Sequence, residues 1–307
     1  MNLIIIGNGF DLYHGIPSKY SEFREYVFNK RPELIEKFEF VLGWKYEEID
    51  WNQFEKLLGE VPDDWINYLK DSYSSSIVSY ASDDWSDSFH HEYSEAMLEE
   101  MYFGELLKEY FFRWACKLNG YLIKTKTEMG LNKSDAYLTF NYTDTLESLY
   151  GIESNSCHIH GQASHLHNNS LVVGHGNHVI TERYYKKWKQ AEQEQNDPRF
   201  SEGEQTTYNY FINSLKDTDE VIKLNEKFFR YIKSNADEID HVYILGHSLN
   251  EVDQPYFKEI SKSLQNKKWI CSYYSENEIE RLANSLKDFQ IDDYEFKKMQ
   301  EIEIINN

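Results

Sequence analysis

Cysteine is scarce in this chain: Cys116, Cys157 and Cys271 are the three among 307 residues, far apart and without a C-x-x-C pair. That spacing excludes a cysteine zinc module and a disulfide framework. Long apolar runs are missing too. The run near the start, Leu3-Ile4-Ile5-Ile6, lasts four residues with no cationic segment before it, so it reads as neither signal peptide nor membrane span, and nothing later approaches a span. A soluble, cytoplasmic protein is expected. Positive charge is short as well, since 32 Lys and Arg face 53 Asp and Glu for a formal net charge of −21. Extended nucleic acid is thereby excluded as a partner for the whole surface, because its binding is driven by Lys and Arg neutralising phosphates. A local basic pocket stays compatible with that balance. Internal repeats and low-complexity segments are absent.

What the chain has is enough apolar material for a sizeable core, in one large domain or two: 40% hydrophobic and 16% aromatic residues, with 24 Tyr and 18 Phe. Its first 17 residues set the frame. Leu3-Ile4-Ile5-Ile6 has the length of a buried strand, and Gly7-Asn8-Gly9-Phe10-Asp11 breaks it where it would leave a sheet, before Gly15-Ile16-Pro17. Strand, tight turn and helix in that order can hold a nucleotide, because glycines let the backbone approach a phosphate. A plain turn is the competing reading, since Leu12 stands where the third glycine of G-x-G-x-x-G would be.

Helical patterns fill residues 18–134, with segments near 20–27, 33–41, 51–58 and 96–118 and a Ser- and Asp-rich loop over 72–88. Aromatics recur there, among them Trp44, Trp51, Trp65, Trp85, Phe103, Phe111 and Trp114, and helix packing explains them. The block is too long for one crossover helix and reads as a helical insertion. Short strands follow: Ala136-Tyr137-Leu138-Thr139-Phe140 into Asn141-Tyr142-Thr143-Asp144, then Cys157-His158-Ile159-His160 into Gly161, then Leu171-Val172-Val173 into Gly174-His175-Gly176. Residues 181–236 return to helix as a second insertion or lid. His241-Val242-Tyr243-Ile244-Leu245 is a further strand, ending in Gly246-His247-Ser248-Leu249 with Asp253 shortly after. Lys268–Tyr274 continues as strand, residues 277–286 as helix, and 301–305 as an edge strand. Several strands ending in polar groups beside glycine point to a ligand at the carboxyl edge of a Rossmann-like α/β sheet, because ligands bind there in open sheets.

Six of the 11 histidines fall between His158 and His178: His158, His160, His165, His167, His175 and His178. They suit either a metal site, since His-x-His on a strand places both rings on one face, or a single general base, His160, with the rest incidental. Asn141 ends a strand, where it could cap the next helix or hold a ligand.

The order of these pieces resembles the sirtuin-type NAD-binding fold: Gly7-Asn8-Gly9 running to Gly15-Ile16-Pro17, Thr139-Phe140-Asn141, His160-Gly161 and Gly246-His247-Ser248-Leu249. More closely, GNGFDL, FNYTD, HIHG, GHG and LGHSLNEVD are similar to the bacteriophage abortive infection AbiH family over nearly the full length. The resemblance implies one sirtuin-like α/β domain over residues 1–307, a role in phage defence, and hydrolysis of NAD⁺ to nicotinamide and ADP-ribose. Under it Asn141 would position the ribose and a water, and His160 would be the base. NAD binding would fall to Gly7, Asn8, Gly9, Phe10, Asp11, Thr139, Asp144, Gly246, His247 and Ser248, with the glycine loop on the pyrophosphate and Ser248 on phosphate or ribose. The four-cysteine zinc module of sirtuin deacylases is absent and Ser18-Lys19-Tyr20 replaces their Asp-Phe-Arg, both against deacylation. Thr143 stands where sirtuins carry Asp, one place before Asp144.

Hydrolysis of NAD⁺ expels nicotinamide as a neutral base, so no acid is required, unlike ordinary glycosides. No metal is expected. A phage-derived trigger or a defence partner protein would be the macromolecular partner, and a homo-oligomer is compatible with this reading. Two other functions stay open at this point: a non-catalytic nucleotide-sensing module, and a metal-dependent hydrolase built on the histidines from His158 to His178.

Overall fold

A computed structural model describes residues 1–74, 77–79, 81–83, 86, 91–124, 129–163, 171–193 and 197–304. The chain divides into two compact units. One comprises Met1–Glu22, Phe112–Val172 and Asp217–Asn307; the other comprises Phe23–Phe111 and Val173–Lys216.

The first unit holds a sheet of six parallel strands: β1 (Leu3–Ile6), β2 (Ala136–Thr139), β3 (Ser156–His158), β4 (His241–Leu245), β5 (Lys268–Tyr273) and β6 (Tyr294–Lys298). Their spatial order is β3-β2-β1-β4-β5-β6, a Rossmann-like α/β arrangement. Parallel strands are covered on both faces, so the inner ones read as continuous apolar runs, and all four residues of β1 are buried. Side chains alternate between the faces. Leu3, Ile5, Leu138, Val242, Ile244 and Trp269 belong to one core; Ile4, Ile6, Tyr137, Tyr243 and Leu245 belong to the other. The registers Leu3↔Ala136 and Leu3↔Val242 bring the ends of β1, β2 and β4 to the same level. After β3 the chain returns to the far side of β1, so the direction of winding reverses between β1 and β4. Ligands bind outside the carboxyl ends at such a reversal.

The second unit is helical, with Pro32–Leu42, Asp63–Ser74, Glu92–Met101, His178–Gln193 and Pro198–Asn213 among its helices. Aromatics fill its core: Phe23, Phe38, Phe54, Trp65 and Phe111 are all buried. Phe23 packs against Phe54 and Phe111 at centroid distances of 4.9 and 5.4 Å. Trp44, by contrast, is an exposed aromatic on this unit. Trp85 lies outside the described residues, as does part of the expected loop over 72–88.

Several local readings need correction. The 96–118 segment is two helices, Glu92–Met101 and Phe103–Leu118. Leu171-Val172-Val173 has no strand structure; Val172 N–H donates to the His160 carbonyl at 2.8 Å. The last strand is β6, not residues 301–305: Met299–Glu301 forms a 3-10 turn, and residue 305 lies outside the described residues. Alternate charged positions in Tyr294-Glu295-Phe296-Lys297-Lys298 suit a half-exposed edge strand, which has a neighbour on one side only. Among the described residues no helix is long and apolar enough to cross a membrane.

Candidate functional site at the carboxyl edge of the sheet

The turn after β1 is built against the turn after β4. Gly7 N–H donates to the Leu245 carbonyl at 2.9 Å and Gly9 N–H to the Gly246 carbonyl at 2.7 Å. A Cβ on Gly7 would stand 2.6 Å from the His247 Cα, and one on Gly9 2.7 Å from the Gly246 Cα. Both glycines are therefore required for backbone-to-backbone packing, and their N–H groups are already satisfied within the protein. Asn8 is exposed between them at the start of helix Asn8–Tyr13. Phe10 faces the core, its ring 4.4 Å from that of His14.

Asp11 is buried and ties this turn to the segment after β2. Its carboxylate accepts from Thr143 Oγ1 at 2.6 Å and from Thr145 Oγ1 at 2.7 Å. Burial pushes the Asp11 carboxyl above its ordinary range, against the opposing pull of the two hydroxyls, the nearby Asn141 side chain and His14. Thr139 Oγ1 accepts the Asn141 N–H at 3.1 Å, which turns the chain at the end of β2. Asn141 is itself 94% buried (6% exposed), and its Nδ2 has no hydrogen-bond partner in the protein. A buried donor left unpaired costs about 1–3 kcal/mol. Asp144 is held by Asn119 Nδ2 at 3.0 Å and Gln162 Nε2 at 2.8 Å. Burial raises its carboxyl, Gln162 draws it down and Glu147 raises it again.

His160 lies two residues beyond β3 and is buried. Its Nε2 faces Asp253 Oδ1 at 3.6 Å. The other oxygen of that carboxylate, Oδ2, faces His247 Nε2 at 3.4 Å. His247 Nδ1 accepts the Leu249 N–H at 2.9 Å, and Leu249 takes the left-handed conformation, φ 52°, to deliver it. The Phe140 ring packs against both imidazoles, with centroids 5.2 Å from His160 and 4.3 Å from His247. Ser248 is exposed, and its carbonyl accepts from Arg281. Gly246 N–H donates to Ser272 Oγ at 2.6 Å.

The sequence-predicted residues of the first unit thus gather at the ends of β1, β2, β3 and β4. Asp253 and Phe140, which touch both histidines or face them, were not singled out from the sequence. Only the carboxylate's position shortly after the Gly246 turn could have signalled it. Asp144 is engaged by two carboxamides.

The described histidines of this stretch have separate surroundings. His158 pairs with Glu147 Oε1 at 2.8 Å, while His175 and His178 belong to the second unit. His165 and His167 lie outside the described residues. Among the described residues no group of three His, Cys, Asp or Glu could hold a metal ion. Burial raises all three cysteine thiols, Cys157 and Cys271 to about 12, which makes them poor nucleophiles at neutral pH.

His175 is a buried structural histidine, its Nδ1 accepting the Asn177 N–H at 3.1 Å and its Nε2 3.2 Å from the Phe211 carbonyl. Burial lowers it from 6.5 to about 4. A depressed folded value means that the unfolded chain binds the extra proton, so this stability is present above pH 6.5 and lost as pH falls towards 4. About 3 kcal/mol is expected to be lost over that interval, at 1.36 kcal/mol per unit. Urea melts of wild type and His175→Gln at several pH values check this. The variant should show the shallower acid dependence, and equal slopes would refute the assignment.

Residues 3–274 match the family model described as "Bacteriophage abortive infection AbiH", whereas no curated protein and no solved structure matches the chain. The match spans most of the 307 residues and includes every element of the carboxyl-edge site, from the Gly7 turn to Asp253. The chain therefore belongs to the AbiH family of bacteriophage abortive infection proteins, and its place is in defence against phage.

Proposed function

We propose that this defence protein hydrolyses NAD⁺ to nicotinamide and ADP-ribose at the carboxyl edge of its sheet. The observation that carries the reading is the buried Asn141 Nδ2, outside hydrogen-bond distance of any partner, on a residue at a strand end between Phe140 and Tyr142, whose rings both pack against His160. Such a donor is satisfied by a substrate hydroxyl or by a bound water. In this reading Asn141 orients the nicotinamide ribose and the attacking water. The water oxygen bonds to the anomeric carbon as the bond to nicotinamide breaks. Nicotinamide leaves with the bonding pair as a neutral molecule, and the water proton passes to His160 and then to solvent. No acid is needed for the leaving group, so one amide and one base suffice. Similarity of the motif order to sirtuin-type folds supports the same substrate. Arg281, at the Ser248 carbonyl, places a cation beside the residue assigned to phosphate or ribose.

Purified protein incubated with NAD⁺, alone and with lysate of phage-infected cells, is expected to release nicotinamide and ADP-ribose in equal amounts. NAD⁺ left intact in both samples would refute the reading, and tight binding without turnover would assign the site to nucleotide sensing.

A further inference from the structure

We infer that Asp253 is a positioning residue that holds His160 ready to accept a proton, and that His247 and the left-handed Leu249 hold Asp253 in turn. The inference rests on the reading of His160 as the base. The geometry forms a chain. Leu249 is buried at φ 52°, a conformation that costs a non-glycine residue about 1–3 kcal/mol and persists only where its surroundings enforce it. That conformation aims its N–H at His247 Nδ1. A backbone N–H can only donate, so His247 Nδ1 is an acceptor and the ring proton sits on Nε2. Nε2 faces Asp253 Oδ2 at 3.4 Å, which leaves Oδ1 directed to His160 Nε2 at 3.6 Å.

One carboxylate therefore spans two buried imidazoles. Among the described residues, titratable groups that face His160 include Asp253 and the phenols Tyr142 and Tyr256, whose rings lie 6.1 and 5.4 Å from it. Of these Asp253 is the carboxylic acid. When His160 takes the proton from water, the carboxylate offsets the new positive charge in a site where the imidazole is 2% exposed and water screens little. Catalytic hydrogen bonds are often long in a ligand-free site and tighten with substrate. His247 is then not a second base: its one proton is committed to Asp253. The arrangement sets two histidines of the same chemistry to different tasks through the backbone conformation at a single leucine.

Asp253→Asn keeps the size of the side chain and removes its charge. With NAD⁺ as substrate, kcat should fall about 100-fold with KM nearly unchanged, and Asp253→Glu should recover part of the loss. Ring ¹⁵N spectra of the protein without substrate give the independent readout. Wild type should show His247 as the Nε2–H tautomer, and Asp253→Asn should shift the His160 ring signals. Unchanged His160 signals, or a loss of activity carried by KM alone, would overturn the inference. The two readings fail separately. If wild type releases no nicotinamide but the ring signals shift, the pairing stands and the substrate is wrong; if Asn141→Ala abolishes release while Asp253→Asn changes nothing, the reaction stands and the positioning role is wrong.

Discussion

Nicotinamide release by Asn141→Ala is expected to fall by about 100-fold or more, while its unfolding free energy changes by less than about 1 kcal/mol. The two halves of that expectation come from one atom. Nδ2 of Asn141 is buried and lies outside hydrogen-bond distance of any partner in the protein, so truncating the side chain removes a desolvated donor whose one influence on the fold is a weak pull on Asp11. On the proposed mechanism what is lost is its grip on the ribose and water, and positioning of a nucleophile is worth several kcal/mol of the barrier. Stability offsets are small: the amide helps hold the Asp11 charge, but Thr143 and Thr145 hydrogen-bond that carboxylate at 2.6 and 2.7 Å and remain. Thermal or urea melts alongside a nicotinamide assay check both halves. A variant that is fully active, or one that loses several kcal/mol of stability, would mean that Asn141 serves the fold.

Gly246→Ala is expected to show the opposite pattern, a loss of about 3 kcal/mol or more in stability. Gly246 has φ 68°, which costs an L residue about 1–2 kcal/mol. Its Cβ would also collide with the Phe10 nitrogen and the Gly9 carbonyl carbon, both backbone atoms of the turn after β1. A rigid neighbour cannot yield as a flexible side chain does, so overpacking adds about 1–3 kcal/mol. The displacement would reach the Gly9 to Gly246 hydrogen bond and, one residue on, His247. Circular dichroism melts measure the effect, and an unchanged melting temperature would show that the two turns are free to separate.

Much of the fold was legible in the sequence because the inner strands of a parallel sheet are buried on both faces. Leu3-Ile4-Ile5-Ile6 and His241–Leu245 declare themselves by composition alone. The edge strand Tyr294–Lys298 does not, since its charged positions break the apolar run. Leu171-Val172-Val173 has strand composition yet lies outside the sheet, where a neighbour to pair with decides the matter and composition does not. In the site, Asn141 and His160 stand out by their places after strands. The turn glycines are legible as a requirement for close approach, but the sequence cannot say that the approaching group is the backbone of Gly246 and His247. Asp253 stayed hidden for a topological reason: it follows His160 by 93 positions, from 160 to 253, and meets it only because the chain crosses back over β1.

That crossing also has a consequence for biosynthesis. β1 leaves the ribosome before the other strands of its sheet, yet its partner β4 pairs Val242 with Leu3, 239 positions later (242 minus 3). At the usual elongation rate of about 5–20 residues per second, roughly 10–50 s pass before that edge of β1 has a partner. Throughout that interval no nascent chain carries the Gly246 turn, His247 or Asp253, so a growing or prematurely ended polypeptide holds His160 without the carboxylate that faces it in the folded protein.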